Sequence, residues 1–375
     1  MSGIYLHIPY CKMRCIYCDY YKETNESDID QFVAAVTREA AVRADELNGE
    51  PIETIYFGGG TPSRLNKNHF DQIFNTLYAH YNITPDAEIT IEANPDDLTA
   101  TYLQMLQSQP INRLSIGIQS FDDEELKFLS RRHTGAEAIQ SVAAAQAAGF
   151  NNISIDLMYG LPHLTLDGWK RNLDQAMQLD VQHISAYHLI YEPDTHLYTL
   201  LQRGRVRPLE DELSLAMFDL LIDTLAANGF EYYETSNFAR HQLYSRHNTS
   251  YWSNKKYIGL GPSAHSYDGQ RRSWNVANNT RYIAGVNSDQ RDYAFETLTE
   301  SERYNEFVLT GIRTRWGVNL LQLKELFGET YHNYCLQNVQ SHIDSGMVEI
   351  KENHLLLTRR GLFMTDGIAS DLMFV

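Results

Sequence analysis

Over its first two-thirds the chain alternates short runs rich in β-branched and aromatic residues with longer stretches of helical periodicity. That alternation is the mark of βα units and a parallel sheet. Six runs predict strands, at residues 4–8, 52–57, 88–93, 113–118, 153–157 and 183–188. Between them the spacing predicts helices over 29–47, 67–81 and the Ala-rich 136–148, the last followed by Gly149, a residue that ends helices readily. Past Glu192-Pro193-Asp194-Thr195 the pattern loosens. A helix is predicted over 209–227, then an aromatic-rich irregular region over 232–267. From Thr297 the chain turns helical again, with a strand-like stretch at 355–358 and a last helix after Gly361.

The organisation this predicts is a β/α domain over 1–235, an aromatic-rich connecting region over 236–296 and a small, mainly helical, winged-helix-like unit over 297–375. Several predicted strands run into abrupt polar or glycine-rich turns: Gly58-Gly59-Gly60-Thr61-Pro62, Asn94-Pro95-Asp96, Gln119-Ser120 and Tyr159-Gly160-Leu161-Pro162. In parallel α/β folds, sites assemble at the C-terminal ends of the strands. A site is therefore expected on these turns.

Composition bounds the function. With 43% hydrophobic and 21% charged residues over 375 positions, the whole chain should fold. A formal charge of −17 argues against a sequence-independent grip on nucleic acid, which depends on Lys and Arg neutralising phosphates. The winged-helix-like tail carries no Lys/Arg stripe, so a structural role is expected of it. No apolar run reaches the ~20 residues of a membrane-crossing helix. No secretory signal precedes Cys11, and a cytoplasmic location with free thiols is the expectation.

Three of the four cysteines fall in Cys11-x-x-x-Cys15-x-x-Cys18, directly after a predicted strand; Cys335 stands alone and reads as a small buried hydrophobe. Zinc sites usually pair C-x-x-C knuckles, so a single triple, even completed by His7, matches zinc poorly. A cubane [4Fe–4S] cluster takes four ligands, and three thiolates leave one iron open. The amino and carboxylate groups of S-adenosylmethionine (SAM) suit that open iron, and electron transfer then breaks the sulfonium bond to give a deoxyadenosyl radical.

Other residues fit such a ligand. Glycines 58–60 allow close backbone approach and aim amides at a carboxylate, while the absence of a following Lys-Ser or Lys-Thr makes a nucleotide P-loop a poor reading. Glu92 and Asp156, at strand ends, can accept from an ammonium or from ribose hydroxyls. Arg131 offers a planar fork to a carboxylate. Each of these charged residues, taken alone, is better read as a surface ion pair.

Together these motifs resemble the radical SAM superfamily. Tyr5-Leu6-His7-Ile8-Pro9-Tyr10-Cys11 is similar to the start of the oxygen-independent coproporphyrinogen III oxidase family, and the likeness extends through Gly58–Ser63, Glu92, Gln119, Arg131, Asp156 and Tyr159-Gly160-Leu161-Pro162. The resemblance implies a partial (β/α)6 barrel, cluster ligation by Cys11, Cys15 and Cys18, and SAM contacts from Tyr5, Tyr17, Gly59, Gly60, Thr61, Glu92, Gln119, Arg131 and Asp156.

Within that family three features resemble the HemW-type heme chaperones. Tyr20 replaces the fourth cysteine of the decarboxylating enzymes, Cys11 lies almost at the start of the chain, and His247-Asn248-Thr249-Ser250-Tyr251-Trp252 matches their HNxxYW motif. The resemblance implies heme contacts from His247, Tyr251 and Trp252, with His247 the leading axial ligand, and delivery of heme to respiratory proteins. With 14 histidines and 24 tyrosines in the chain, ordinary packing is the competing reading of that segment. Oxidative decarboxylation of coproporphyrinogen III is the competing function, and a homodimer is left open.

Overall fold

The computed structural model describes residues 2–375. Six parallel strands form its centre: β1 (Ser2–Ile8), β2 (Ile52–Gly59), β3 (Ile83–Ala93), β4 (Arg113–Gln119), β5 (Ile153–Tyr159) and β6 (His183–His188). They are neighbours in that order, and each overlaps a strand predicted from the sequence. Helices α1 (Ile29–Val42), α2 (Lys67–His80), α3 (Ala100–Gln107), α4 (Asp123–Phe128), α5 (Gly135–Ala147) and α6 (Leu166–Met177) return the chain between them.

The predicted helix over 29–47 is broken at Arg43. Its buried guanidinium binds Glu39 and Glu46, the Gly259 carbonyl and Ser266 Oγ, and the chain leaves the helical path there to continue as one 3-10 turn, Ala44–Leu47.

Parallel strands covered by helices on both faces read as continuous apolar runs; these alternate instead. Ile4, Leu6 and Ile8, then Ile55 and Phe57, Ile89 and Ile91, Leu114 and Ile116, Ile155 and Leu157, are buried in the main core. Each such side chain contributes roughly 1.5–3 kcal/mol. The intervening positions carry Tyr5 and His7, Thr54 and Tyr56, Glu88 and Glu92, Arg113 and Ser115, Ser154 and Asp156, and His183 and Ser185. Period-two alternation puts these on the opposite face of the sheet, where their mutual contacts make a polar barrel lumen.

The sheet continues at both edges. Helices α7 (His196–Gln202) and α8 (Asp211–Ala227) lead into β7 (Glu231–Glu234) and β8 (Asn237–Ala239), with β8 antiparallel to β6. Helix α9 (Arg246–Trp252) packs against β1 and β2. Strand β9 (Tyr257–Leu260) then adds parallel to β1, and β10 (His265–Tyr267), β11 (Arg271–Asn275) and β12 (Tyr293–Thr297) follow antiparallel. Helix α10 (Asn279–Asn287), between β11 and β12, packs on α1. The stretch expected to be irregular over 232–267 is thus sheet edge and helix, in pieces too short to impose a periodicity on the sequence.

The C-terminal unit has its own core around Tyr304, Leu323, Val339 and Leu355. It comprises α11 (Glu300–Ile312), β13 (Val318–Asn319), α12 (Leu320–Asp344), β14 (Val348–Lys351), β15 (His354–Leu357), α13 (Arg359–Leu362) and α14 (Thr365–Asp371). The three strands pair antiparallel in the order β13-β15-β14, beside helices, the winged-helix-like pattern expected of the tail. Among the described residues no helix is long and apolar enough to cross a membrane.

Candidate functional site

The C-terminal ends of the central strands open on a cavity of about 430 Å3. Cys11, Cys15, Tyr17 and Cys18 reach it from the loop after β1; Gly59, Gly60 and Thr61 from the end of β2; Glu92, Gln119 and Asp156 from β3, β4 and β5; and Arg131 from the turn before α5. Tyr5 is one layer lower, its hydroxyl 3.3 Å from His7 Nδ1.

His7 fastens the cysteine loop. Its Nε2 lies 2.9 Å from the Tyr21 carbonyl; a carbonyl only accepts, so Nε2 carries the proton and Nδ1 accepts from Tyr5. Backbone bonds from Cys11 N to Glu23 O and from Glu23 N to Pro9 O, 2.8 and 2.6 Å, close the loop's base. Asp97, which sequence reasoning passed over although it follows the Asn94-Pro95-Asp96 turn, holds the other side. Its buried carboxylate pairs with Lys12, accepts from Ser63 Oγ at 2.8 Å and lies 3.6 and 3.8 Å from Arg64 and Arg132.

The thiols themselves have polar neighbours. Thr61 Oγ1 is 3.3 Å from Cys11 Sγ, and Arg131 Nη1 is 3.4 Å from Cys15 Sγ. Burial pushes the Cys11 and Cys18 thiols up, a cost that iron ligation would remove by replacing the proton. Among the described residues no three His, Cys, Asp or Glu side chains converge on a single metal ion. A cubane spreads its thiolates over separate irons, and a three-cysteine loop beside an open cavity fits such a cluster. Cys11, Cys15 and Cys18, all on the cavity wall, would hold it.

Backbone geometry shapes the opposite wall. Gly59 has φ +101°, and a side chain there would meet His7 at 2.6 Å, while one on Gly60 would strike the Ile8 and Pro9 backbone at 2.7 Å. Gln119 is held at φ 71°, left-handed for a residue with a side chain, and such strain concentrates at functional sites. Arg131 is committed to Asn94 and, at 2.6 Å, to the Gly117 carbonyl, while its buried Nε has no acceptor.

Two carboxylates supply the cavity's charge. Burial pushes Glu92 up to about 7, against a hydrogen bond from Tyr56 at 2.8 Å. Burial likewise pushes Asp156 up to about 6, despite hydrogen bonds from Ser185 and Ser115. Between them the site can receive a cationic, hydroxyl-bearing ligand such as SAM. Met158, Tyr187 and Tyr20 complete the wall; the first two follow from the strand alternation, and Tyr20, 64% exposed, occupies the fourth-cysteine position.

The HNxxYW segment is elsewhere. Glu88 accepts from the backbone amides of Arg246 and His247, both at 3.1 Å, anchoring the start of α9 at the N-terminal ends of the strands, below the cavity. His247 enters the lumen and is 1% exposed. Its Nδ1 is 2.8 Å from Thr54 Oγ1 and its Nε2 2.8 Å from Tyr251 OH, and burial lowers its pKa to about 3. In this structure both ring nitrogens of His247, expected to be the axial heme ligand, are therefore engaged by protein hydroxyls. Tyr251 is spent on the same bond. Trp252, at the end of α9, lines a separate cavity.

Comparison with known proteins agrees with this geometry. A model of the Radical SAM superfamily matches residues 5–176, and one of the HemN C-terminal domain matches residues 298–364. The fold resembles that of the *Escherichia coli* coproporphyrinogen III oxidase HemN, with a TM-score of 0.86 over 99% of this chain and 90% of that one at 21% identity. The barrel and its cysteine loop define a radical SAM protein, a class whose domain implies SAM and a [4Fe–4S] cluster. In sequence the chain is 34% identical to the *Bacillus subtilis* heme chaperone HemW over 98% of each, and 32% identical to the *Mycobacterium tuberculosis* heme chaperone HemW over 99% of this chain and 94% of that one. It belongs to the HemW-type family of radical SAM proteins.

Proposed function

We propose that this chain is a cytoplasmic heme chaperone that holds a [4Fe–4S] cluster and SAM in its barrel, binds heme as cargo and delivers it to respiratory heme proteins. The observation that carries the reading is full-length likeness, 34% identity over 98% of both chains, to a relative named heme chaperone HemW. Cys11, Cys15 and Cys18 ligate the cluster; Tyr17, Gly59, Gly60, Thr61, Glu92, Gln119, Arg131 and Asp156 surround SAM. When bound, that pair supplies reductive cleavage of a sulfonium bond. The protein's part is to hold the loop through His7 and Asp97, to present Glu92 and Asp156 to the ligand's cationic and hydroxyl groups, and to shield the site from water.

The test is anaerobic reconstitution followed by heme titration and transfer. Stoichiometric heme binding, with passage of heme to an apo-cytochrome of a respiratory complex, is expected. A reconstituted protein that binds no heme would overturn the reading.

The second reading is decarboxylation of coproporphyrinogen III propionates, favoured by the intact set of glycines and carboxylates around the cavity, which a pure carrier does not obviously require. Incubation with SAM, a reductant and coproporphyrinogen III decides it: a decarboxylated porphyrin makes the chain an enzyme, and deoxyadenosine without one leaves the chaperone reading in place.

A further inference from the structure

A second cavity, of about 560 Å3, lies where α9, α11, α12 and β15 meet, away from the barrel mouth. Its volume is that of sites for cofactor-sized ligands, roughly 300–1,000 Å3. Four large aromatic side chains, Trp252, Trp316, Phe307 and Phe327, line it among polar ones such as Asn254, Thr310 and Gln322. Of its lining, Trp316 is 41% and Leu326 55% exposed, apolar surface that an occupant of the cavity would cover. The Trp252 Nε1 is buried without an acceptor. The Arg303 guanidinium also faces this cavity, and among the described residues it has no hydrogen bond or ion pair. Glu306, the acidic group beside it, is taken by Arg272 at 2.5 Å.

His354, at the start of β15, supplies a metal ligand. Its Nδ1 is 2.9 Å from the Glu352 carbonyl. Since a carbonyl accepts only, Nδ1 carries the proton, and Nε2 is left with its lone pair and no partner among the described residues. A neutral imidazole whose other nitrogen is fixed on a carbonyl is the state in which histidine binds a metal. His247, locked between Thr54 and Tyr251, has no such lone pair to give.

From this juxtaposition we propose that the cavity is the heme site, with His354 Nε2 on the iron, Trp252 and Trp316 against the macrocycle and Arg303 facing a propionate. The inference rests on the heme-chaperone reading and adds its location. It also gives the HNxxYW segment two jobs: one short helix plugs the barrel with His247 and walls the cargo cavity with Trp252.

Ferric heme titrated into the reconstituted protein, followed by the Soret band and by electron paramagnetic resonance, tests it. His354→Ala should weaken binding at least tenfold and abolish the histidine-ligated spectrum while SAM affinity is unchanged. Arg303→Ala, distant from the iron, should weaken binding several-fold with the spectrum retained, which guards against a folding defect in the first variant. Wild-type affinity and spectrum in His354→Ala would overturn the location and leave the chaperone reading standing. Absence of heme binding in the wild-type protein would overturn both.

Discussion

Inside the barrel the imidazole of His247 stacks on the ring of Tyr56, centroids 5.0 Å apart and planes 24° from parallel. Tyr56 donates to Glu92 at 2.8 Å, and Tyr5 lies against both rings, 6.2 Å from Tyr56 and 6.4 Å from His247. A single column of side chains therefore joins α9, beneath the barrel, to a carboxylate in the cavity above it. The motif associated by resemblance with heme thus supports the cavity carboxylate Glu92 from below.

His247→Ala should register in SAM binding. The change deletes two buried hydrogen bonds and a ring stack, a loss of about 2–4 kcal/mol, read as a lower urea midpoint. With Tyr56 unsupported, Glu92 loses its orientation and SAM affinity should fall several-fold, with His247→Gln intermediate. Heme affinity of the folded fraction should not change. The reverse pattern, SAM affinity kept and heme lost, would return His247 to the role of iron ligand.

Glu92 gives the protein a specific pH dependence. Its folded pKa of about 7 lies above the 4.5 of an ordinary glutamate, so the folded state holds the extra proton between those values. The associated stability is complete below about 4.5 and is lost as pH rises through 7. The groups that face it are Tyr56, Asp156, Arg113 and the Gly59 amide. Without ligand, the wild-type thermal midpoint should fall more steeply between pH 5 and 7.5 than that of Glu92→Gln. SAM affinity should move the other way, strengthening as the carboxylate ionises to meet a cation. Parallel curves for the two proteins would refute this account.

The sequence pattern carried the six central strands because each is long enough to show its period and ends in a distinctive turn. It also brought Tyr17, Thr61, Glu92, Gln119, Arg131 and Asp156 to one cavity, since strand ends of a parallel sheet share an edge. Strands β8 to β10 escaped it: at three or four residues they are too short for a period, and their partners lie far off in the chain. The polar lumen was open to reading in the alternation of Tyr5, His7 and Tyr56 with Ile4, Leu6 and Phe57. The orientation of α9 was not, because a motif states which residues are neighbours and leaves open which way the helix faces. Glu88, which fixes that direction, has no local signature.

Asp97 should govern how well the cysteine loop accepts a cluster. Removing the buried carboxylate that Lys12, Arg64 and Arg132 share takes away their common anchor. Arg64 keeps Glu26, and Lys12 and Arg132 keep Asp96, so the cost is about 1.5–3 kcal/mol. In Asp97→Asn, iron content after reconstitution should fall well below wild type, with the loop more readily cleaved by protease. Full iron loading at wild-type rates would mean that Lys12 does not help to place Cys11.

Arg113 is the remaining charge of the lumen, and its role is electrostatic. It is 2% exposed, its Nε has no acceptor, and among the described residues no carboxylate lies within ion-pair distance. An isolated buried cation is costly. Its field, however, lowers the pKa of Glu92 and of Asp156 and helps to keep His247 and His183 neutral. Arg113→Met, which preserves much of the volume, should leave the thermal midpoint equal or higher. The two carboxylates would then hold their protons to higher pH, and the pH of half-maximal SAM affinity should rise. Arg113→Lys should restore the wild-type midpoint, because the charge alone is needed. An unchanged pH profile in Arg113→Met would show that burial and hydrogen bonding set both carboxylates by themselves.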